Sequence, residues 1–190
     1  MTFCQGWIRR NSVPALTLLL IIITCAVLIF WLRSTTVVLV IRHAERNDTA
    51  SCSPPEAGPP LSEAGQTRAQ VLAHVAGEAS VASIYASEFC RTQQTVQPLA
   101  TQLGLAVTVV DQVASDGTAD VDALIAQVWA NDRGKVALIA GHTNTVPVII
   151  EKLGGGTIPP IGESEFDNLY VVIIPRWGKT KVVHLKYGAP

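Results

Sequence analysis

From residue 37 onward, short apolar runs alternate with longer amphipathic segments, and this alternation restricts the possible folds more than any other feature of the chain. Short apolar, β-branched runs read as buried strands, and apolar residues three and four apart read as one face of a helix. Strands are expected at 37–41, 81–86, 106–110, 136–140, 169–174 and 181–185, and helices at 62–77, 88–103, 120–131 and 145–153. Strand–helix alternation implies a crossover after each strand. The expected class is therefore α/β, a three-layer α/β/α arrangement whose mostly parallel central sheet has helices on both faces. The last two strands are joined through Pro175, Arg176, Trp177, Gly178 and Lys179, a link short enough for an antiparallel hairpin at the sheet edge. Gly104 and Gly154 stand where helix C-caps belong. The polar, Pro-rich stretch 47–60 reads as a mobile loop.

The 190 residues suffice for one domain and an appendage, not for two full domains. Apolar residues make up 48% and charged ones 15%, with a mean hydropathy of +0.33. Much of that apolar weight lies in residues 11–32, which carry no charge. About 20 apolar residues cross a hydrocarbon core of about 30 Å. The reading is a short N-terminal tail at 1–12, a transmembrane signal anchor at 13–33 and a folded domain at 34–190. Residues 30–33 offer no small-residue cleavage site, so the anchor is expected to be retained. Arg9 and Arg10 outweigh Arg33 near the helix ends, which places the N-terminus in the cytoplasm. The expected location is thus the inner (cytoplasmic) membrane, single-pass, with the domain periplasmic or extracellular. From residue 34 on, 11 basic residues face 15 acidic ones. A mildly acidic domain without a basic stripe does not suit nucleic acid. Four cysteines without metal-ligand spacing suggest neither a disulfide scaffold nor a zinc site.

In open α/β sheets ligands bind beyond the carboxyl ends of the strands. Three such ends are polar here: Arg42, His43, Ala44, Glu45 and Arg46 after the first strand, Ser87 to Thr95 after the second, and Gly141, His142, Thr143 and Asn144 after the fourth. Two histidines and two arginines, Arg42 and Arg91, can therefore converge. Without a matching Asp/Glu cluster no metal is expected, and two guanidiniums suit a phosphoryl group, which they grip through paired N–H donors.

In these motifs, strand-borne Arg42-His43, the Ser-x-x-x-Arg-Thr run from Ser87 to Thr92 and the late Gly141-His142, the sequence resembles the histidine phosphatase superfamily, also called phosphoglycerate mutase-like. The resemblance spans nearly everything from residue 37 to 187. It implies a phosphomonoesterase or mutase that needs no cofactor or metal, in which His43 attacks phosphorus and is transiently phosphorylated. It further implies that Arg42, Arg91 and His142 hold the phosphoryl oxygens; Thr143 and Asn144, which follow His142 in the chain, are candidate substrate-binding residues by position. Two positions depart from the family pattern. Ala44 replaces the common Gly, and Thr143 and Asn144 follow His142 where the acid phosphatase branch has its proton-donating Asp. In the mutase branch the donor is a Glu after the third strand, where this chain has Asp111, Asp116 and Asp120. Asp116 is the candidate donor and Glu45 the reserve, although Glu45 is better suited to orienting the arginines.

The residues themselves add requirements. A neutral imidazole attacks only if one nitrogen is held as a donor so that the other presents its lone pair. Consecutive strand residues point to opposite faces, so Arg42 and His43 can share a pocket only if regular strand geometry ends there. Ser87 and Thr92 read as N-capping residues, and His74 and His184 as structural. Cys52 and Cys90 would tie the loop to the pocket rim if the domain met an oxidising compartment. The functional expectation is a phosphomonoester hydrolase acting on a small phosphate ester or an envelope glycolipid phosphate. Its alternatives are a phosphohistidine protein phosphatase and a membrane-tethered phosphate-binding module without turnover.

Overall fold

The computed structural model describes residues 15–32, 35–53 and 57–188, which fall into two units, 1–33 and 34–190. In the first, helix α1 (Ala15–Leu32) leaves Leu16, Leu18 to Ile23, Val27 and Leu28 exposed. Its 18 residues rise about 27 Å at about 1.5 Å each, short of a hydrocarbon core of about 30 Å. Among the described residues no helix is long and apolar enough to cross a membrane. This corrects the expectation of a transmembrane anchor and, with it, of an inner-membrane protein with a periplasmic or extracellular domain. Arg9, Arg10 and Arg33, on which the orientation rested, and the 1–12 tail lie outside the described residues.

The second unit runs β1 (Thr36–Arg42), α2 (Glu63–Ala76), β2 (Val81–Ala86), α3 (Cys90–Leu103), β3 (Val107–Val109), α4 (Asp122–Asn131), β4 (Val136–Gly141), α5 (Thr145–Ile150), β5 (Asn168–Ile174) and β6 (Lys181–Lys186). One sheet has the order β3-β2-β4-β1-β5-β6. The first four are mutually parallel, and β5 and β6 form an antiparallel hairpin that closes the edge beside β1. Side-chain alternation divides the core into two. Val38, Val40, Ala137 and Ile139 face α4 and α5 on one side, with Leu124, Val128, Val146 and Ile149. Leu39, Ile41, Leu138 and Ala140 face α2 and α3 on the other, with Leu72, Ala73, Val96 and Leu99. Strands buried on both faces must be apolar throughout, which is why they read as continuous runs. The helix expected at 145–153 ends earlier: α5 stops at Ile150 and widens into a π turn (Glu151–Gly155), with Gly154 at a φ of 83°.

Two features anchor the segment after β1. Ser62 caps α2 by accepting from the Gly65 amide at 3.2 Å, while its own amide donates to the Glu45 carbonyl at 2.9 Å. The stretch expected to be a mobile loop is also tied down on the described residues flanking 54–56. The Asn47 amide bonds the Pro60 carbonyl, the Cys52 amide the Gly58 carbonyl and the Cys90 amide the Ala57 carbonyl, and a Cys52–Cys90 disulfide joins it to the start of α3. A Cβ at Gly65 would collide with the Glu45 carbonyl oxygen. Alanine normally stabilises a helix interior by up to about 1 kcal/mol over glycine. Here Gly65→Ala is expected to destabilise by about 1–3 kcal/mol, the usual cost of overpacking. Thermal unfolding should record a midpoint several degrees below the parent, and a raised midpoint would show that the contact yields.

Candidate active site

β1 ends at Arg42, whose partner in β4 is Gly141, so the chain leaves strand geometry just where two adjacent side chains must enter one pocket. The His43 amide still bonds the Gly141 carbonyl at 2.9 Å, which seats His43 beside His142; their ring centroids are 5.4 Å apart. A side chain at Gly141 would press on Thr145 Oγ1 at 2.6 Å and Gln112 Oε1 at 2.9 Å. Those atoms form the bracket beneath His142. Thr145 Oγ1 accepts from the His142 amide at 2.8 Å and donates to Gln112 Oε1 at 3.2 Å, and Gln112 Nε2 donates to the Ala140 carbonyl at 3.1 Å.

The tautomers follow from the partners. His43 Nδ1 lies 2.7 Å from the Ala44 carbonyl, which can only accept, so Nδ1 carries the proton and Nε2 presents its lone pair. Arg91 Nη2 can only donate to His142 Nδ1 at 3.3 Å, so the His142 proton sits on Nε2 and is given to Ser87 Oγ at 2.8 Å. Ser87 in turn donates to Thr92 Oγ1 at 2.8 Å, and Thr92 donates to the Phe89 carbonyl at 2.6 Å. Ser87 and Thr92 are thus the relay that fixes His142 rather than caps of α3, whose N-cap is Phe89.

Both rings stay uncharged. Burial first, then the neighbouring His142, Arg91 and Arg42, push His43 down to about 2 against the opposing pull of the Ala44 carbonyl. Burial and the same two arginines push His142 down to about 3. The arginines are themselves desolvated. Arg42, 6% exposed, donates through Nη1 to the carbonyls of Gly162, Glu163 and Glu165 and lies 4.1 Å over the Phe166 ring. Arg91, in the first turn of α3, lies 4.4 Å over Phe89. The Nε of each is buried without a partner, and among the described residues no carboxylate forms an ion pair with either.

Two cavities meet here. One of about 360 Å³ is lined by Arg91, His142, Phe89, Val113, Thr143, Asn144 and Arg46. The other, of about 540 Å³, shares Arg46 and Thr143 and is otherwise walled by Arg42, Glu45, Asp48, Glu163, Ser164 and Phe166. His43, 3% exposed, lines neither; its ring centroid lies 5.4 Å from that of His142 in the first wall and 5.9 Å from that of Phe166 in the second. Asn144 donates to the Gly117 carbonyl at 3.2 Å and so ties the loop after β3 to the rim.

The two carboxylates singled out from the sequence are placed differently. Glu45 lines the second cavity, yet its carboxylate is forked by Arg68 of α2 at 2.7–3.0 Å rather than by the pocket arginines. Burial opposes ionisation, but that fork holds Glu45 below the usual carboxylate range. Asp116 is exposed, walls neither cavity and is lowered by hydrogen bonds from the Thr118 hydroxyl and amide. Sequence reasoning missed Gln112, Thr145, Phe166 and the wall role of Arg46. For Gln112 and Thr145 a signal existed, polar side chains at the ends of β3 and β4 where the core demands a partner. For Phe166, in an irregular loop, there was none. Among the described residues no group of three or more His, Cys, Asp or Glu is arranged to hold a metal ion.

The family model for the histidine phosphatase superfamily (branch 1) matches residues 38–115. No curated protein sequence matches the chain. Among solved structures, the protein histidine phosphatase SixA complexed with tungstate is 19% identical, with a TM-score of 0.60, covering 79% of this chain and 96% of that one. A protein assigned as phosphohistidine phosphatase SixA of Agrobacterium tumefaciens is 23% identical, with a TM-score of 0.55 and coverages of 82% and 98%. A mycobacterial glucosyl-3-phosphoglycerate phosphatase is 18% identical, with a TM-score of 0.57 and coverages of 82% and 100%. At such identities these likenesses speak to the fold. The stretch matched by that family model holds Arg42, His43 and Arg91.

Proposed function

We propose that the protein is a metal-independent phosphomonoester hydrolase working through a phosphohistidine on His43. The observation that carries this reading is the pair of desolvated guanidiniums, Arg42 and Arg91, left without carboxylate partners beside two neutral imidazoles. Such a site is short of negative charge, and a phosphoryl dianion supplies it. His43 Nε2 attacks phosphorus, the P–O bond to the alcohol breaks, and the leaving oxygen keeps the electron pair. Water then attacks phosphorus, the N–P bond breaks, and phosphate and neutral His43 are restored. Arg42 and Arg91 balance the charge that develops on the phosphoryl oxygens. His142, neutral in the free protein, accepts from Arg91 and keeps that guanidinium aimed at them.

Glu45 and Asp116 are both held in the ionised form, so we assign neither a proton to give. The leaving oxygen takes its proton from water in the open cavities. A phosphohistidine protein phosphatase is the second reading, favoured by this same want of an acid, since imidazole departs without strong acid assistance. An envelope glycolipid substrate rested on the membrane anchor and is not carried further.

Three outcomes test the reading. His43→Ala should abolish hydrolysis of p-nitrophenyl phosphate, acid-labile phosphate should be trapped on His43 of the parent, and chelator should leave the rate unchanged; full activity of the variant would remove His43 as nucleophile. In the second test, Asp116→Asn and Glu45→Gln should shift the ratio of alkyl to aryl phosphate rates less than about twofold. A selective alkyl loss of about 10²- to 10⁴-fold, the size a general acid supplies, would make that residue the donor. The third test is pH. His43 and His142 titrate near 2 and 3 in the folded chain and near about 6.5 unfolded. Between those values the unfolded chain binds more protons, so stability is constant above about pH 6.5 and falls as pH drops below it. The unfolding midpoint should decline from pH 6.5 to 5, with a shallower slope in His142→Asn.

A further inference from the structure

The second cavity has a charge pattern the phosphoryl chemistry does not use. Of the three carboxylates in its wall, Glu45 is forked by Arg68 and Asp48 is paired with Arg46 at 2.6 Å. Of these, only the Glu163 carboxylate makes no hydrogen bond or ion pair among the described residues, although its charge acts on Arg42. It stands on a loop pinned by Arg42 Nη1, which takes the Gly162, Glu163 and Glu165 carbonyls at 2.8–3.3 Å. Ser164 and Phe166 follow it in the same wall, and Phe166 touches the His43 ring. Arg42, nine-tenths buried with its Nε unpartnered, also faces this cavity, so an ester with its phosphorus at His43 has room here for its alcohol.

We propose that this cavity receives the leaving alcohol and selects, through Glu163, alcohols that bring a hydroxyl or ammonium donor and no second anion. The inference rests on the phosphomonoesterase reading. Once a bound phosphoryl dianion is matched by Arg42 and Arg91, Glu45 is matched by Arg68 behind the wall and Asp48 by Arg46, which leaves the one negative charge of Glu163 over. A donor satisfies it. A carboxylate on the alcohol is repelled by it.

The experiment compares phosphoethanolamine, glycerol phosphate and phosphoglycerate, with p-nitrophenyl phosphate as reference, by kcat/KM and by calorimetric binding to the full chain. Phosphoethanolamine and glycerol phosphate should each exceed phosphoglycerate by at least about tenfold at low ionic strength, and by less as salt screens the exposed Glu163. Glu163→Gln should bring the ratios toward one, and Glu163→Lys should reverse them. Glu163 is exposed, so neither variant threatens folding. Turnover of all four with no discrimination, or ratios that ignore both substitutions, would overturn the subsite and spare the phosphatase. No turnover of p-nitrophenyl phosphate, with the binding preference intact and Glu163-dependent, would overturn the phosphatase and spare the subsite. Neither turnover nor binding preference would overturn both.

Discussion

One buried guanidinium, Arg42, and one half-buried, Arg91, stand here without an ion-paired carboxylate, and the rest of the site is arranged around that imbalance. Taking a charge out of water costs several kcal/mol unless it is compensated. The chain compensates Arg42 with three backbone carbonyls and a phenyl face, and Arg91 with a phenyl face and an imidazole nitrogen. Carbonyls and rings solvate a cation partially and cannot cancel it. Of the acidic groups in the wall of the second cavity, Glu45 is spent on Arg68 and Asp48 on Arg46, and Glu163 acts on Arg42 without forming an ion pair with it. Burial first, and then the same excess of positive charge, keeps both histidines unprotonated.

Position within the sheet converts that electrostatic arrangement into geometry. β1 and β4 are neighbours and parallel, so their carboxyl ends bring Arg42-His43 and Gly141-His142 to the same edge without any long side-chain reach. β2, on the other flank of β4, delivers Ser87 to His142. The glycine at 141 is the tight point. Its missing side chain leaves the space that Thr145 and Gln112 use to hold the His142 backbone and, through it, the ring.

The alternating pattern made the strands and helices legible because a doubly covered sheet demands apolar runs, and element ends shifted by only one or two residues where caps such as Ser62 govern them. The Arg-His, Ser-to-Thr and Gly-His clusters were legible because strand ends are where polar residues interrupt those runs. Less could be read where hydrogen bonding to backbone decides the outcome. The Arg42-bound loop at 162–166 carries no periodic signal, and Glu45 found its partner on α2, a pairing that local sequence does not announce. The loop at 47–60 looked mobile by composition, whereas a disulfide and main-chain bonds fasten it. The apolar N-terminal run read as spanning because hydropathy counts residues, while the helix that forms is 18 residues long.

β1 lies between β4 and β5, the strands that pair Val37 with Val136 and Leu39 with Val171. During synthesis β1 therefore emerges before every other strand of the domain and waits longest, since neither of its neighbours exists until most of the domain has been translated. Later still comes the Tyr187 carbonyl, to which Arg68 of α2 donates. Such non-local pairing slows folding and leaves an apolar strand with two open edges in the nascent chain. The carboxyl end of β1, with Arg42 in it and His43 after it, can therefore gain both of its neighbours only once β5 has been made.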